Sequence, residues 1–404
     1  MSKTEWKECT LGDLIRIKHG YAFKGDYITT NDNGVVLVTP GNFAIGGGFQ
    51  ERKCKFFSSD YPNDYVLKAG DLIVTMTDLS KDGDTLGYSA KVPSSENRVY
   101  LHNQRIGLIE LKNKNVDPNF LYWVMRSPSY QKGIVATASG STVKHTSPGR
   151  ICESKILLPP LAEQQRIAKI LSSLDDKIEL NNVINRNLAE QAQIIFKSYE
   201  MKKPFKEMKI GDVADINPDS YGTKDNWDFV NYLDTSNITQ NVISDLQYID
   251  LKEESLPSRA KRKVVLNDII YSTVRPNQLH YGIINDLKTN MLVSTGFAVI
   301  RTNNTLVSNE YIYLNLTQKD TIKKLQQIAE QSVSTFPAIK PSDIGNCIIK
   351  IFEKNDAQIL NGQLSAIFGK ILQNNRENKC LANIRDGLLS KLMSGELNTA
   401  DMVI

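Results

Sequence analysis

"LPPLAEQQRIAKILSSLDDKIELNN", residues 158–182, breaks a mixed globular chain at two prolines and starts a long helix with asparagines in its apolar seam. Pro159 and Pro160 stop the preceding strand, and Pro160 suits an early helical position, where its missing N–H costs no hydrogen bond. Glu163 in the opening turn complements the positive end of the helix. Ile167, Leu174, Asn181, Leu188 and Ile195 then fall seven apart, with Leu171, Ile178, Asn185, Ala192 and Tyr199 as the second line of a heptad seam. About 30 such residues at ~1.5 Å each make a strut of roughly 45–50 Å.

The strut occurs twice because the chain repeats itself. "WKECTLGDL" from Trp6 is echoed by "FKEMKIGDV" from Phe205, "AGDLIV" at Ala69 by "LNDIIY" at Leu266, and "FLYWV" at Phe120 by "YIYLN" at Tyr311. The offset is 199, 197 and 191 in these three pairs and 193 in the long helices, a drift that insertions in surface loops produce. Each half runs through short β-rich segments broken by Gly, Asn and Asp, then a helical stretch, around 118–135 or 309–330, then the long helix.

In the second long helix Leu360, Ile367, Asn374, Leu381 and Leu388 form one line, and Leu364, Ile371, Asn378, Arg385 and Leu392 the other. The expected fold is α+β: two similar mixed domains joined by two long helices in an antiparallel coiled coil about a pseudo-twofold. The expected boundaries are 1–157, 158–203 for the first helix, 204–350, and 351–404 for the second. Antiparallel pairing would put Asn181 near Asn378 and Asn185 near Asn374. Buried asparagines in a seam sacrifice stability and fix register; the alternative is a splayed crossing where they are solvated and specify nothing.

Composition narrows the function. The chain has 404 residues, 23% of them charged, with a net charge of +4 that permits a polyanionic partner without requiring one. No stretch approaches the ~20 apolar residues of a membrane span, and the opening residues resemble no secretory signal, so a cytoplasmic protein is expected. Five scattered cysteines and four scattered histidines give no disulfide framework and no metal pattern. No phosphate loop, nucleophile elbow or H-E-x-x-H is present. "AIGGGFQ" at 44–50 reads as a turn, "INPDS" at Ile216 lacks the second proline and aromatic of a methyltransferase motif, and "TDLSKDGDTLG" (Asp78, Asp82, Asp84) reads as a solvated hairpin tip rather than a metal site.

Polar loops recur instead. "HGYAFKGDY" (19–27), "TPGNF" (39–43), "LHNQR" (101–105) and "SGSTVKHTS" (139–147) punctuate the first half, "STVRPNQLHYG" (272–282) and "EQSVSTFPAIK" (330–340) the second. Asn and Gln pair bidentately with adenine, Arg with guanine, and hydroxyls with phosphate or base edges. Two equivalent domains carrying such loops on a fixed spacer match a bipartite DNA site.

At "LPPLAEQQRIAKILSSLDDKIELNNVINRNL", with a degenerate copy ending "LANIRDGLLSKLMSGEL", the chain closely resembles the specificity (S) subunit of type I restriction-modification systems. In the second copy "IFEKNDAQIL" replaces the prolines and the Glu-Gln-Gln. The resemblance implies a non-enzymatic subunit with two target recognition domains, each reading one half of an asymmetric double-stranded DNA site. It implies two modification (M) subunits performing adenine-N6 methylation with S-adenosylmethionine, and two restriction (R) subunits using ATP and Mg for cleavage where they are present. No cofactor or metal is expected in this chain. By the same analogy the reading residues lie in loops: Tyr21, Lys24, Asn42, Thr77, Gln104, Ser141, Thr142 and Lys144, and Tyr221, Ser236, Arg275, Asn277, Ser334, Thr335 and Phe336. The rival readings are a stand-alone methyltransferase or nuclease, and a coiled-coil scaffold that does not bind DNA.

Overall fold

The computed structural model describes residues 6–51, 54–80, 82–222, 224–332 and 336–399. The chain divides into two compact units, Met1–Leu180 with Glu377–Ile404, and Asn181–Arg376. In the first, one sheet runs Ile15–His19, Ile106–Leu111, Leu72–Thr75, Ser89–Lys91, all antiparallel. A second sheet runs Ile28–Thr29, Lys55–Phe57, Val35–Val38, Val99–His102, Val66–Leu67, with Val35–Val38 and Val99–His102 parallel. The second unit repeats the first order, Ala214–Ile216, Phe297–Thr302, Ile269–Ser272, Tyr281–Ile283, and the second without a counterpart of the outer strand Ile28–Thr29: Gln247–Asp250, Phe229–Leu233, Met291–Ser294, Ala260–Lys263. Its parallel pair, Phe229–Leu233 with Met291–Ser294, falls at the same place. Leu72–Thr75 and Ile269–Ser272 are buried at every position, which explains why those strands read as continuous apolar runs without alternation.

The helical stretch of each half is two helices, where the sequence suggests one. In the first unit these are α1 (Pro118–Val124) and α2 (Pro128–Ala136). The Asp117 carboxylate accepts from the Asn119 and Phe120 amides at 2.8 and 2.9 Å and starts α1. Pro128 lacks the N–H that would continue the ladder, so Ser127 caps a new helix instead. The long helix α3 (Leu161–Lys202) follows; in the second unit α4 (Asn309–Leu316) and α5 (Lys319–Glu330) precede the long α6 (Lys354–Met393).

In the first unit the start of α3 packs with the end of α6: Ile167, Ala168, Ile170 and Leu171 share a core with Leu389, Leu392, Phe120 and Trp123. In the second, Ala192 and Phe196 near the end of α3 share a core with Ala357, Leu360 and Leu364 near the start of α6. The start of each helix thus meets the end of the other, so the pair is antiparallel. Seam position Arg385 joins a polar cluster: its guanidinium lies 2.6 Å from one Asp175 oxygen while Arg126, buried beneath Tyr122 and Trp123, lies 2.6 Å from the other. In the second unit the positions equivalent to Asp175 and Arg385 are Phe368, edge-on to Tyr313 with centroids 5.8 Å apart, and the fully buried Ala192. At the head of α3, buried Glu163 accepts from Arg166 at 2.7 Å and from the Thr399 hydroxyl at 2.8 Å, clasping the chain beyond α6.

Asn181 and Asn374, equivalent in the repeat, are each 1% exposed. The Asn374 amide donates to the Asn185 carbonyl oxygen at 2.8 Å, and the Asn185 amide donates to that of Asn375 at 2.9 Å. Asn374→Leu removes the donor from the half-buried Asn185 oxygen, which water can still reach, and should cost about 1 kcal/mol in denaturant unfolding. Asn185→Leu with Asn374→Leu should recover much of that loss while broadening the species seen by light scattering, since the polar register pin is gone. A double variant as destabilised as the single one would argue that the pair does not set alignment.

Candidate nucleic-acid interface

In the first unit main-chain hydrogen bonds tie several of the polar loops into one cluster. Strand Ile15–His19 ends at Gly20, where a Cβ would lie 2.2 Å from the Asn103 carbonyl oxygen, so only glycine lets the chain approach so closely. The Tyr21 amide then donates to the His102 carbonyl at 2.8 Å and the Gln104 amide to the Tyr21 carbonyl at 3.0 Å. The Met76 amide donates to the Arg105 carbonyl, and the Thr146 amide to the Met76 carbonyl, each at 3.0 Å. Thr77 pairs with His145 and Asp78 with Lys144. Tyr21, Gln104, Lys144 and the exposed Ser141 and Thr142 therefore belong to one connected surface. Lys24, also exposed, opens the adjoining helical turn Gly25–Tyr27.

The Tyr21 ring is 43% exposed and packs edge-on against Phe23, with centroids 5.1 Å apart, and against Tyr65 at 5.2 Å. Lys18 stands 5.1 Å over the Tyr65 ring; its place on the strand gave no sign in the sequence that it would border this aromatic patch.

Two expectations need correction here. Asn42 is fully buried: its carbonyl oxygen accepts from the Thr39 amide at 2.9 Å and its amide donates to the Gln50 carbonyl at 3.2 Å. It caps a turn and has no edge left for a base. Thr77 is 5% exposed with its hydroxyl 3.2 Å from His145 Nδ1, so it supports the loop from beneath.

Asp78 is also buried, where the sequence suggested a solvated tip; only Asp82 and Asp84 are exposed. Its carboxylate accepts from the Ser80 amide, the Thr85 amide and the Thr85 hydroxyl, closing the loop that presents Leu79 to solvent. The "AIGGGFQ" turn has Gly46, Gly47 and Gly48 at φ 84, 83 and 91°, and Arg126 Nε donates to the Gly46 carbonyl at 2.8 Å. Among the described residues no group of His, Cys, Asp or Glu could hold a metal ion, and no helix is long and apolar enough to cross a membrane.

The second unit repeats the arrangement. The Thr273 amide donates to the Gly296 carbonyl at 2.8 Å, the Ile339 amide to the Thr273 carbonyl at 2.8 Å, and the Arg275 amide to the Pro337 carbonyl at 2.9 Å. Gly296 has no room for a Cβ beside Thr235, which brings in the turn carrying exposed Ser236. The Arg275 guanidinium lies 4.8 Å over the Phe336 ring, and the Asn277 amide donates to Gln326 Oε1 at 3.2 Å. Arg275, Asn277, Phe336 and Ser236 thus share one surface. Tyr221 does not join it: half-buried, it packs on Trp227 at 4.8 Å and its amide bonds the Lys261 carbonyl on a sheet edge. Ser334 and Thr335 lie outside the described residues.

Residues 3–190 match the family model for the type I restriction modification DNA specificity domain. Over 189 residues the chain is 28% identical to the HindI specificity subunit of Haemophilus influenzae, covering 46% of this chain and 39% of that one. Over 169 residues it is 31% identical to the EcoBI specificity subunit of Escherichia coli, covering 42% and 32%. It therefore spans well under two thirds of those two relatives. The MjaIX specificity subunit of Methanocaldococcus jannaschii is matched at 22% identity over 70% of both chains. The type I S subunit from M. genitalium shares the fold, with TM-score 0.55 over 96% of each chain at 16% identity.

In the specificity domain, burial pushes the Asp78 carboxyl pKa up, but hydrogen bonds from Ser80 and Thr85 outweigh it and hold it below the ordinary carboxylate range. A depressed folded pKa contributes stability above the unfolded value of about 3.9 and loses it as pH falls through and below that. The protection factors of the Ser80 and Thr85 amides, taken against the intrinsic exchange rate at each pH, should fall below that pH, and Asp78→Ala should lower them at neutral pH while distant strands keep their protection. Equal exchange in Asp78→Ala and wild type at neutral pH would remove this account of the loop.

Proposed function

We propose that the chain is the DNA sequence-recognition subunit of a type I restriction-modification complex, with each unit reading one half of an asymmetric bipartite site. The observation that carries the reading is duplication of the reading surface. In both units the loop after the third strand of the antiparallel sheet, at Thr77 and at Val274, pairs with the segment before the next helical turn, at His145 and at Ala338. The specificity-family match over residues 3–190 supports it. In this reading the paired helices set the unread gap and dock two modification subunits, which supply S-adenosylmethionine and methylate adenine N6. Restriction subunits bring ATP, Mg and cleavage, and this chain does no covalent chemistry.

The mild basicity fits a clamp shared with partners, since phosphate contacts can come from the modification subunits closing on DNA. One turn of DNA is ~34 Å, well within the reach of a helix of 42 residues at ~1.5 Å each.

Single-molecule sequencing of methylated bases in a methylation-free host, with this chain plus a compatible modification subunit against that subunit alone, should yield a new two-part motif with one modified adenine per strand. A soluble complex that gives no motif would count against DNA reading and in favour of a scaffold. With the motif in hand, Arg275→Ala should relax one or two positions of one half-site, at about 1–3 kcal/mol if the guanidinium grips guanine bidentately. Unchanged letters in an assembled complex would refute that role. Adding about one helical turn after Asn185, matched by one in α6, should lengthen the gap and leave both halves readable; a motif that keeps its gap would dissociate the helices from spacing.

A further inference from the structure

The two units differ in what lies against the second short helix. In the first, thirteen residues separate Thr75 from Ser89, and this long connection seals the face of α2. A Cβ on Gly87 would sit 2.7 Å from Ile134, and Gln131 Nε2 donates to the Gly83 carbonyl at 2.9 Å. In the second, only eight residues separate Ser272 from Tyr281. Between that short connection, the turn at Gln240 and helix α5 lies an open groove of about 630 Å³.

Its floor is apolar, with Leu279, Tyr281 and Ile322, while Gln240, Lys319 and Lys323 stand at its walls. The lysines are four apart, one turn of α5, and so share a face. The one lining carboxylate, Glu330, already accepts from Gln326 at 2.9 Å. Backbone strain gathers at the same place. Among the described residues seven besides glycine have positive φ; four are asparagines, and the other three are Gln240, Arg275 and Leu279, at 46, 47 and 61°. Gln240 and Leu279 line the groove and Arg275 begins the segment that walls it. Left-handed backbone at such residues persists where surrounding structure enforces it, characteristically at ligand-facing positions.

We propose that this groove is where the second unit engages its half-site, Lys319 and Lys323 holding phosphates and the Gln240 carboxamide reading a base edge. The inference rests on the chain being a DNA reader and adds the element that reads. The occupant follows from charge: the exposed Lys319 and Lys323 outnumber the one lining carboxylate, Glu330, and favour a polyanion, and a primary amide over an apolar floor suits an adenine edge. The first unit, whose equivalent helix face is covered, meets its half-site with the covering loop.

The test uses the full chain assembled with its modification subunit, the wild-type motif being determined in parallel. Gln240→Ala should reduce discrimination at one or two positions of one half-site roughly tenfold or more, leaving the other half and the gap unchanged. Gln240→Asn, which keeps a residue at ease in left-handed backbone and withdraws the amide by one methylene, should do the same. Lys323→Ala should weaken binding across all sites, keep every letter and lower the salt slope by about one; Lys323→Arg should restore it. Lys324→Ala, beside it in sequence and not lining the groove, should leave the salt slope closer to wild type. A wild-type motif with unchanged letters in both Gln240 variants and an unchanged salt slope in Lys323→Ala would overturn the groove and leave the DNA-reading function standing. An assembled wild-type complex with no motif would overturn both.

Discussion

A carboxamide taken out of water must find its partners, and that requirement governs the long helices. Asn374 is buried, and its amide finds the Asn185 carbonyl oxygen across the helix pair. Leucine and isoleucine on the other seam positions tolerate sliding far better, since apolar contact is not directional. The hydrophobic seam accordingly supplies association, and the asparagine contact adds a directional hydrogen bond to it. In each unit the core is completed by residues of both helices, among them Ile167 and Leu392 in one and Phe196 and Leu364 in the other.

The duplication is close in frame and loose in content. Both units keep the antiparallel sheet order, the parallel central pair and two short helices before the long one. What fills the contact between helix pair and domain differs. The first unit places Arg126 between Asp175 and two aromatic rings, and Arg385 completes the charge balance; the second uses Phe368, Tyr313 and Ala192. A buried ion cluster is costly to desolvate and intolerant of a missing member, whereas an aromatic contact accepts many neighbours. The two solutions do not interchange. An Asp175-like side chain set against an Ala192-like position would lose one of its two guanidinium partners, so the helix of each half is fitted to the other rather than to a copy of itself.

Much of this frame was legible in the sequence because it rests on spacing. Heptads, the proline break and matched motifs are periodic, and periodicity survives without knowledge of contacts. The splitting of each short helical stretch was missed even though Ser127-Pro128 carries the signal, since an apolar run on both sides masks a cap. At the candidate interface the sequence located loops better than residues. Asn42 and Asn277 look alike as loop asparagines, yet one is buried under a turn and the other is exposed. Burial depends on which loop folds over which, and that is decided by chain segments distant in sequence. The lysines of α5 were passed over for the same reason: "KDTIKKLQQIAE" reads as an ordinary amphipathic helix until the shortness of the facing connection leaves one side open.

The way the loops are joined explains how such a surface can change its target without losing its shape. Tyr21, Gln104, Met76 and Thr146 in one unit, and Thr273, Arg275 and Ile339 in the other, are connected through backbone amides and carbonyls. Main-chain bonds of this kind are indifferent to side chains, apart from glycine at close approaches such as Gly20 and Gly296. Side chains projecting from the cluster, including Ser141, Thr142, Asn277 and Phe336, are therefore free to vary, whereas Asp78 and Asn42, whose side chains serve as loop bonds, are not. A recognition surface built this way separates the residues that make the loop from those that face outward. In the proposed DNA-reading role, substitutions of the second kind would alter what is read at little cost in stability.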